Sequence, residues 1–502
     1  MKINRLYPVL MLLLVTLTAA AEDVFVRQGC RRGTPRSQSY NLLHRAAPGG
    51  QTKQTGGDFY HGERHQLTVL VEFNDRSFKG DETASLAQWD KIFNARNLTE
   101  APFKGSVHDY FYAQSYGDFD LTFDLQYVKV TGNAKKYAST QTDDENSQYL
   151  VPDIINQLQQ RDIDWSLYDW NGDGFVNQLL IIYAGKGMND SYGSDLIWPH
   201  QWWMSEHKKD RIDSVYCNPI PVSYGGKEYK VDCYCALAEL TKNDDYGSFG
   251  TICHEYTHCF GFPDFYSNNK QFVGPWELMD SGNYNGNGYR PAGYSAHERW
   301  LMGWLTPTEL TAESTVTDMP ALSDEPMAYL IRNDGFQNEY YIVENRQQKG
   351  WDTNLPGNGI IVFHIDYDAS LWVSTAYYPN TYSSKHYTIF PANNITIASP
   401  TYSNKWPYPC EDNNRLTNDS KPAATLNNAN TDGSFLMNKS LLDMNVTGGL
   451  ASFRFVDGPV TGVDVVKPAG TPQLLYRLGS VSILRYPNGV VKKVVRGERD
   501  DG

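Results

Sequence analysis

The chain has 502 residues, of which 58 are acidic and 44 basic, and its formal net charge is −14. This length is sufficient for a large buried core and for more than one domain. The acidic balance excludes nucleic acid as an expected partner, because the chain would repel a phosphate backbone.

The first 21 residues are typical of an export signal. An apolar run follows Lys2 and Arg5, and a run of alanines ending at Ala21 offers a cleavage site. The apolar run is too short to span a bilayer, and no later stretch is long and apolar enough to do so. We therefore expect a protein that is secreted or displayed at the cell surface, with no transmembrane helix in the mature chain.

Residues 22–60 show no periodicity and are predicted to be a propeptide or linker. Cys30 offers a sharper hypothesis, in which its thiolate binds zinc and keeps a zymogen latent. No recognisable switch motif surrounds Cys30. A tail without regular structure is therefore the preferred interpretation.

Residues 61–310 mix helical and strand patterns, which predicts an α+β catalytic domain. Strands are expected at 66–73, 119–127 and 178–183, and helices at 86–95, 107–114, 149–158 and 291–303, the last an ordinary amphipathic helix carrying His297 and Trp300. The first and third strands are continuously apolar, as in strands buried on both faces. His200 is predicted to be a hydrogen-bonded packing residue.

A β-hairpin is predicted to turn at Gly225–Gly226. Cys217 and either Cys233 or Cys235 are symmetric about this turn, so that either pair could face each other across the strands. One disulfide bond and buried free thiols are both open interpretations. Two further cysteines are predicted to pack within a helix: Cys253 and Cys259.

A short loop carries oxygen-bearing side chains at every second position, namely Asp169, Asn171 and Asp173, with glycines that permit a sharp turn. This spacing resembles the first half of a calcium loop. Leu180 occupies the twelfth position, where a complete EF-hand carries a bidentate acid. The sequence therefore predicts a structural calcium site at these three residues, but not an EF-hand.

The most specific motif contains His254 and His258, which lie one helical turn apart and can reach one metal ion. Glu255 is placed to meet a water molecule on that ion. Gly261 is suited to end the helix in the left-handed conformation, and the resulting turn would bring Asp264 to the same metal. Two nitrogens and one carboxylate leave a fourth position for water, which is typical of a catalytic zinc site.

Residues 311–458 are predicted to form an all-β, sandwich-like domain with large loops. Strands are expected at 339–344, 359–366 and 452–456. Residues 459–502 carry short strands and a basic end that includes Lys492 and Lys493. An export-sorting or anchoring tail and a frayed strand pair are both open interpretations of this last segment.

The metal motif, together with Met279, resembles the metzincin-type zinc endopeptidases, which carry a methionine turn beneath the metal. Further stretches narrow the resemblance to the secreted bacterial immune inhibitor A family over about residues 60–456: 69–75, 106–111, 115–117, 169–177, 198–200 and 356–360. The resemblance implies zinc held by His254, His258 and Asp264, with Glu255 as general base. It also implies calcium for stability, and proteins or peptides as substrates.

Two features leave alternatives open. Some metzincins place a tyrosine two residues after the methionine to steady the oxyanion, but this chain has Ser281 there, and Tyr284 is the candidate substitute. Glu277 is a rival third ligand, as in thermolysin-like enzymes. We prefer Asp264, because the glycine and the methionine would otherwise lack a purpose.

The sequence thus predicts a secreted zinc-dependent endopeptidase in which Glu255 takes a proton from water and passes it to the leaving amine. The rival function is an exported binding protein, an adhesin or glycan binder, whose zinc is structural. A structural site would not normally keep an open coordination position beside a glutamate, which favours the peptidase. The sequence makes no prediction of the oligomeric state.

Overall fold

The computed structural model describes residues 60–460, except 139–145, 147–148, 190, 192, 194, 206–217, 248, 268–269, 373–378, 382–384, 396–399 and 412, together with 473–478, 481–485 and 491–495. The predicted signal peptide, nearly all of the predicted propeptide with Cys30, and Cys217 lie outside these residues. Crossing a bilayer takes about 20 apolar residues in one helix, and the described part of the chain contains no helix that meets this requirement.

Helices and strands are mixed along the described chain, as the sequence predicted. The α-helices are α1 (Glu82–Asn94), α2 (Val107–Gln114), α3 (Ala134–Tyr137), α4 (Leu150–Leu158), α5 (Phe249–Cys259), α6 (Ala296–Leu301) and α7 (Ala369–Trp372). The strands before α5 are β1 (Gly62–Glu72), β2 (Phe119–Lys129), β3 (Phe175–Val176), β4 (Leu179–Lys186), β5 (His200–Trp203), β6 (Ile220–Tyr224), β7 (Lys227–Val231) and β8 (Cys233–Leu240). Those after α6 are β9 (Thr308–Glu309), β10 (Ser314–Met319), β11 (Tyr329–Arg332), β12 (Glu339–Arg346), β13 (Gly359–Asp366), β14 (Tyr387–Ile389), β15 (Ser440–Thr447), β16 (Leu450–Val456), β17 (Gln473–Leu478), β18 (Val481–Arg485) and β19 (Val491–Val495).

A five-stranded sheet in the order β2-β1-β4-β8-β5 forms the centre of the N-terminal part. The first four strands are parallel, and β5 runs antiparallel along the edge beside β8. On β4, Leu180 and Ile182 enter one apolar core, whereas Leu179 and Ile181 enter another on the opposite face. Because both faces are covered, the inner strands are continuously apolar, as predicted.

Helix α5 packs on one face of this sheet, and all of its residues are buried. Its apolar side chains share a core with those of α1 and α2, while α4 and the hairpin β6–β7 cover the other face. A Cβ atom on Gly250 would lie 1.8 Å from the carbonyl oxygen of Asn283. Helix α5 therefore lies in direct backbone contact with the 3₁₀ segment Gly282–Gly288.

Helix α6 is shorter than the predicted helix, and the prediction of an ordinary amphipathic helix is wrong. Five of its six residues are buried, and only Trp300 is partly exposed. The imidazole of His297 on α6 is fully buried, and its Nε2 atom lies 3.0 Å from the hydroxyl of Tyr340 on β12. Strand β12, which belongs to a second β-sheet, covers a side of α6 that would otherwise face solvent, and the local sequence pattern does not reveal this contact.

The hairpin β6–β7 turns at Gly225–Gly226 as predicted, with Tyr224 opposite Lys227. Cys233 and Cys235 lie on neither strand of this hairpin, and their predicted pairing with Cys217 involves a residue outside the described part of the chain. After Val231 the chain enters the central sheet, where both cysteines lie on β8 and pair with β5.

A second five-stranded sheet, β14-β13-β12-β11-β9, follows α6. On β12, Tyr340 and Ile342 enter the core that contains α5, whereas Tyr341 and Val343 enter a core shared with the three-stranded sheet β10-β16-β15. The β-rich part is thus a pair of packed sheets, one of which also packs against the core that contains α5. Strands β17, β18 and β19 form a separate antiparallel sheet.

We expect Gly250→Ala to destabilise the fold, because the new methyl group overlaps the Asn283 carbonyl and overpacking costs about 1–3 kcal/mol. Gly458→Ala is the matched control, since open space surrounds that position. Urea unfolding followed by circular dichroism measures both. Equal midpoints for the two variants would contradict the direct contact between α5 and the 3₁₀ segment.

Candidate metal centre

The two histidines of α5 present the same ring nitrogen to one point. His254 Nδ1 donates to the carbonyl of Leu278 at 2.8 Å, and His258 Nδ1 donates to the carbonyl of Phe262 at 2.7 Å. The ring centroids lie 4.9 Å apart with nearly perpendicular planes. With both Nδ1 atoms engaged, each Nε2 atom is left to face the remaining space between the rings.

Asp264 fills one side of that space. Its Oδ1 atom lies 3.1 Å from His254 Nε2 and 3.4 Å from His258 Nε2. The chain reaches this position through a turn at Gly261, whose φ of +100° is costly for other residues. The structure thus brings together the three side chains that the sequence predicted as ligands, with donor atoms all within 4.8 Å of one another.

Two polar atoms of this group lack a hydrogen-bond partner although they are buried: Asp264 Oδ2 and His258 Nε2. Buried polar atoms are rarely left unsatisfied, because their desolvation is then uncompensated. Two imidazole nitrogens and a carboxylate are a donor set that zinc prefers. The residues present therefore fit a divalent metal ion at this point.

The electrostatics of the metal-free group also suit a cation. Burial would lower the pKa of His254, but the hydrogen bond with Asp264 and the charge of Glu255 raise it to about 9. Burial would raise the pKa of Asp264, but the charge of His258 and the hydrogen bond from His254 lower it to about 2. The negative charge of Asp264 and Glu255 beside the imidazoles therefore favours a bound cation.

The segment Trp276–Gly282, here called the methionine turn, lies against both parts of the site. The Leu278 carbonyl accepts the hydrogen bond from His254, and the Met279 carbonyl accepts one from Phe265 N–H at 2.8 Å. Met279 itself is fully buried. The turn therefore fixes the first histidine and the chain directly after Asp264.

Glu277, the rival ligand, lies in a different environment. Its Oε2 atom accepts a hydrogen bond from the hydroxyl of Tyr387 at 3.2 Å. Burial, followed by the charge and hydrogen bond of Glu298, raises the pKa of Glu277 well above its usual value. Among the described residues, the compact group of metal-ligating side chains contains Asp264 and not Glu277.

Sequence reasoning missed a buried arginine from the β-rich part. On β12, Arg346 forms a bidentate pair with Asp352, at 2.8 Å for both contacts, and donates to Glu344 at 3.0 Å. It also donates to the carbonyl of Trp276 at 3.3 Å and to that of Gly293 at 3.1 Å. The methionine turn is therefore held from the second sheet, through contacts that are distant in sequence.

Asp280 was also missed. Its Oδ2 atom accepts three backbone hydrogen bonds of 2.9 Å, from Phe272, Val273 and Gly274. An aspartate followed by Ser281 and a glycine is a common turn signal, but it does not reveal which amides the carboxylate will bind. These bonds order the loop that leads into the methionine turn.

The predicted calcium loop is a compact turn beside the central sheet. Asp169 Oδ2 accepts from Gly174 N–H at 3.0 Å, and Asp173 Oδ1 accepts from Phe175 N–H at 2.9 Å. Asp169 Oδ1 and Asn171 Oδ1 are buried and accept no hydrogen bond. Burial raises the pKa of Asp169, and the charge of Asp173 adds to that rise. Unsatisfied oxygens and neighbouring carboxylates fit a hard cation.

His200 is a buried packing residue, as predicted. Its Nδ1 atom lies 2.6 Å from the carbonyl of Trp198, and its Nε2 atom lies 3.1 Å from the hydroxyl of Tyr234. Tyr284, the candidate oxyanion residue, is 44% exposed in the 3₁₀ segment, and Ser281 is buried. The role of Tyr284 stays a prediction.

Residues 62–304 match the family described as immune inhibitor A peptidase M6, catalytic domain. These residues, here called the M6 domain, are similar to the immune inhibitor A peptidases. This M6 domain ends just before β9 and contains the whole metal centre. Immune inhibitor A from Bacillus thuringiensis subsp. alesti is 26% identical in an alignment 260 residues long, and the match covers 45% of this chain and 34% of that protein. The match therefore spans about a third of the length of this relative.

We expect Asp264→Ala to lose bound zinc and Glu277→Ala to retain it, because only Asp264 lies between the imidazoles. The number of zinc ions per chain, measured by mass spectrometry on folded protein, distinguishes the two candidate ligands. Circular dichroism is the control, since Glu277→Ala leaves a cavity and lowers stability. If the folded Glu277→Ala chain lost its zinc while Asp264→Ala kept one zinc ion per chain, Glu277 would be the third ligand.

Proposed function

We propose that this M6 domain is a zinc-dependent endopeptidase. One observation carries the proposal: His254, His258 and Asp264 converge in a buried group that still has two unsatisfied polar atoms. Three protein ligands leave a fourth position open on a tetrahedral ion, which is how catalytic zinc sites differ from structural ones. A binding protein with a structural site would need a fourth protein ligand, and the described residues supply no fourth member to this group.

When bound, zinc supplies Lewis-acid chemistry, because it polarises a carbonyl group and lowers the pKa of water. Glu255 adjoins the first ligand on α5, and its charge acts on the His254 imidazole. We assign Glu255 as the group that accepts a proton from the attacking water and delivers it to the leaving amine. The carbonyls of Leu278 and Phe262 keep the two imidazoles in the tautomer that presents Nε2 to the metal.

We extend the proposal to the substrate class, the export of the chain, the role of the β-rich part and a calcium ion. The substrates we propose are proteins or peptides, and the chain is proposed to be secreted through the segment that ends at Ala21. We propose that the β-rich part, 311–458, is a structural domain that supports the methionine turn. A calcium ion is proposed at Asp169, Asn171 and Asp173 as a stabilising ligand.

We expect Glu255→Gln to keep its zinc and to lose at least about a hundredfold in rate, because the general base is removed while the ligands stay. Casein digestion gives the rate, and mass spectrometry gives the metal content. Glu228→Gln is the control, since it makes the same chemical change at an exposed position of strand β7. Wild-type activity in the Glu255→Gln chain would exclude this mechanism.

A parallel digest with 1,10-phenanthroline distinguishes the peptidase from an exported binding protein. We expect the chelator to abolish cleavage and added zinc to restore it. No cleavage of casein or of a mixed peptide library by a zinc-loaded chain would favour the binding protein.

We expect calcium to raise the thermal midpoint of the chelator-treated, zinc-reloaded wild type, because a ligand that binds only the folded state stabilises it. Asn171→Ala should abolish this response. Since Asn171 Oδ1 accepts no hydrogen bond, the substitution removes a proposed ligand oxygen without breaking a bond to it. Differential scanning calorimetry measures the midpoint, and zinc content is checked in the same samples. An equal calcium-induced rise of the thermal midpoint in the wild type and in Asn171→Ala would contradict calcium binding at the proposed site.

A further inference from the structure

The third ligand of the proposed metal centre lies outside the metal helix. Asp264 follows the turn at Gly261, and its Oδ2 atom accepts no hydrogen bond. Its carboxylate is therefore held on one side, through the contacts of Oδ1 with the two imidazoles. The position of such a carboxylate depends on the backbone beside it, and that backbone is fixed at Phe265.

Phe265, the residue after Asp264, is fully buried and is held at three points. Its N–H donates to the Met279 carbonyl at 2.8 Å, and its own carbonyl accepts a hydrogen bond from Asn380 Nδ2 at 2.7 Å. Its ring stacks on that of Tyr387, with centroids 3.7 Å apart and planes inclined by 9°. Two of these three contacts therefore come from the β-rich part and not from the M6 domain.

Asn380 uses its full hydrogen-bonding capacity in this region. It is fully buried and lies just before β14. Its Nδ2 atom donates to the carbonyls of Phe265 and Tyr387, both at 2.7 Å. Its Oδ1 atom accepts from the backbone N–H groups of His386 and Tyr387, both at 3.0 Å. Since a side-chain amide offers two N–H groups and an oxygen with two lone pairs, no part of it is left over.

We propose that Asn380 is a positioning residue for the metal centre. Through the Phe265 carbonyl it fixes the backbone beside Asp264, and it thereby keeps the carboxylate close to both imidazoles. Groups that orient a metal ligand typically change metal affinity by a factor of about 10–100. The inference rests on the proposed zinc site, and it gives the β-rich part a direct share in the affinity for zinc.

A purely structural role is the alternative, and Asn345 on β12 is the matched control. It is also fully buried, and its Nδ2 atom also donates to two backbone carbonyls, those of Met319 and Gly449, at 2.9 Å. Because side chains alternate along a strand, Asn345 shares a face of β12 with Val343, which lies in the core away from α5. Asn345→Ala should therefore lower the stability of the fold and leave the metal centre intact.

The test uses the full chain with zinc or cobalt alone. We expect folded Asn380→Ala to bind zinc about tenfold more weakly than the wild type, because the Asp264 carboxylate is no longer held in place. Asn380→Asp serves as a second variant should Asn380→Ala fail to fold. It keeps the shape of the side chain and its acceptor oxygen, removes the donor to Phe265, and should weaken zinc binding in the same direction.

Competition with a chromophoric zinc chelator measures the affinity, and circular dichroism checks the fold of each chain. The visible absorption of the cobalt-loaded chains reports the coordination geometry of the metal. We expect this spectrum to change in the Asn380 variants and to stay that of the wild type in Asn345→Ala, which a merely structural role of Asn380 would not produce.

Two results would overturn this proposal alone. The first is a wild-type zinc affinity and cobalt spectrum in a folded Asn380 variant. The second is an equal loss of zinc affinity in Asn345→Ala, which would reduce the effect to lost stability. A wild-type chain that binds neither zinc nor cobalt would instead contradict the proposed zinc site, and this inference with it.

Discussion

The whole metal centre depends on two backbone carbonyls that fix the imidazoles of α5. Phe262, in the turn after the helix, and Leu278, in the methionine turn, each accept the Nδ1 proton of one histidine. Only this arrangement leaves both Nε2 atoms facing Asp264. Since one carbonyl is local and the other lies 24 residues beyond His254, helix formation alone does not build the site. The methionine turn must also be in place.

The β-rich part supplies the restraint on that turn. Arg346 on β12 donates a hydrogen bond to the carbonyl of Trp276, and Glu344 accepts one from the backbone N–H of Ala296 at 2.6 Å. Charged side chains therefore cross the interface between the β-rich part and the M6 domain. Buried charges are costly unless every group is paired, and the bidentate contact with Asp352 together with the carbonyl contacts meets this requirement. The β-rich part therefore forms a shared interior with the M6 domain, in which one face of β12 enters the core around α5.

The sequence was informative where the cause of a structure is local. The spacing of His254 and His258 predicts a shared helix face, Gly261 predicts the turn, and continuous apolar residues predict the inner strands. It was uninformative where the cause lies far along the chain. Nothing near Arg346 indicates that it holds the methionine turn, and the pattern of 291–303 does not reveal the sheet that buries α6. The hairpin turn was found from its glycines, but the change of sheet after Val231 was not.

Zinc K-edge X-ray absorption on the zinc-loaded chain tests the central claim most directly. We expect only nitrogen and oxygen in the first shell around zinc, together with the outer-shell scattering of two imidazoles. The oxygen contribution should be smaller in Asp264→Ala. Sulfur in the first shell, or the scattering of fewer than two imidazoles, would place the metal elsewhere and would contradict the assignment of His254, His258 and Asp264.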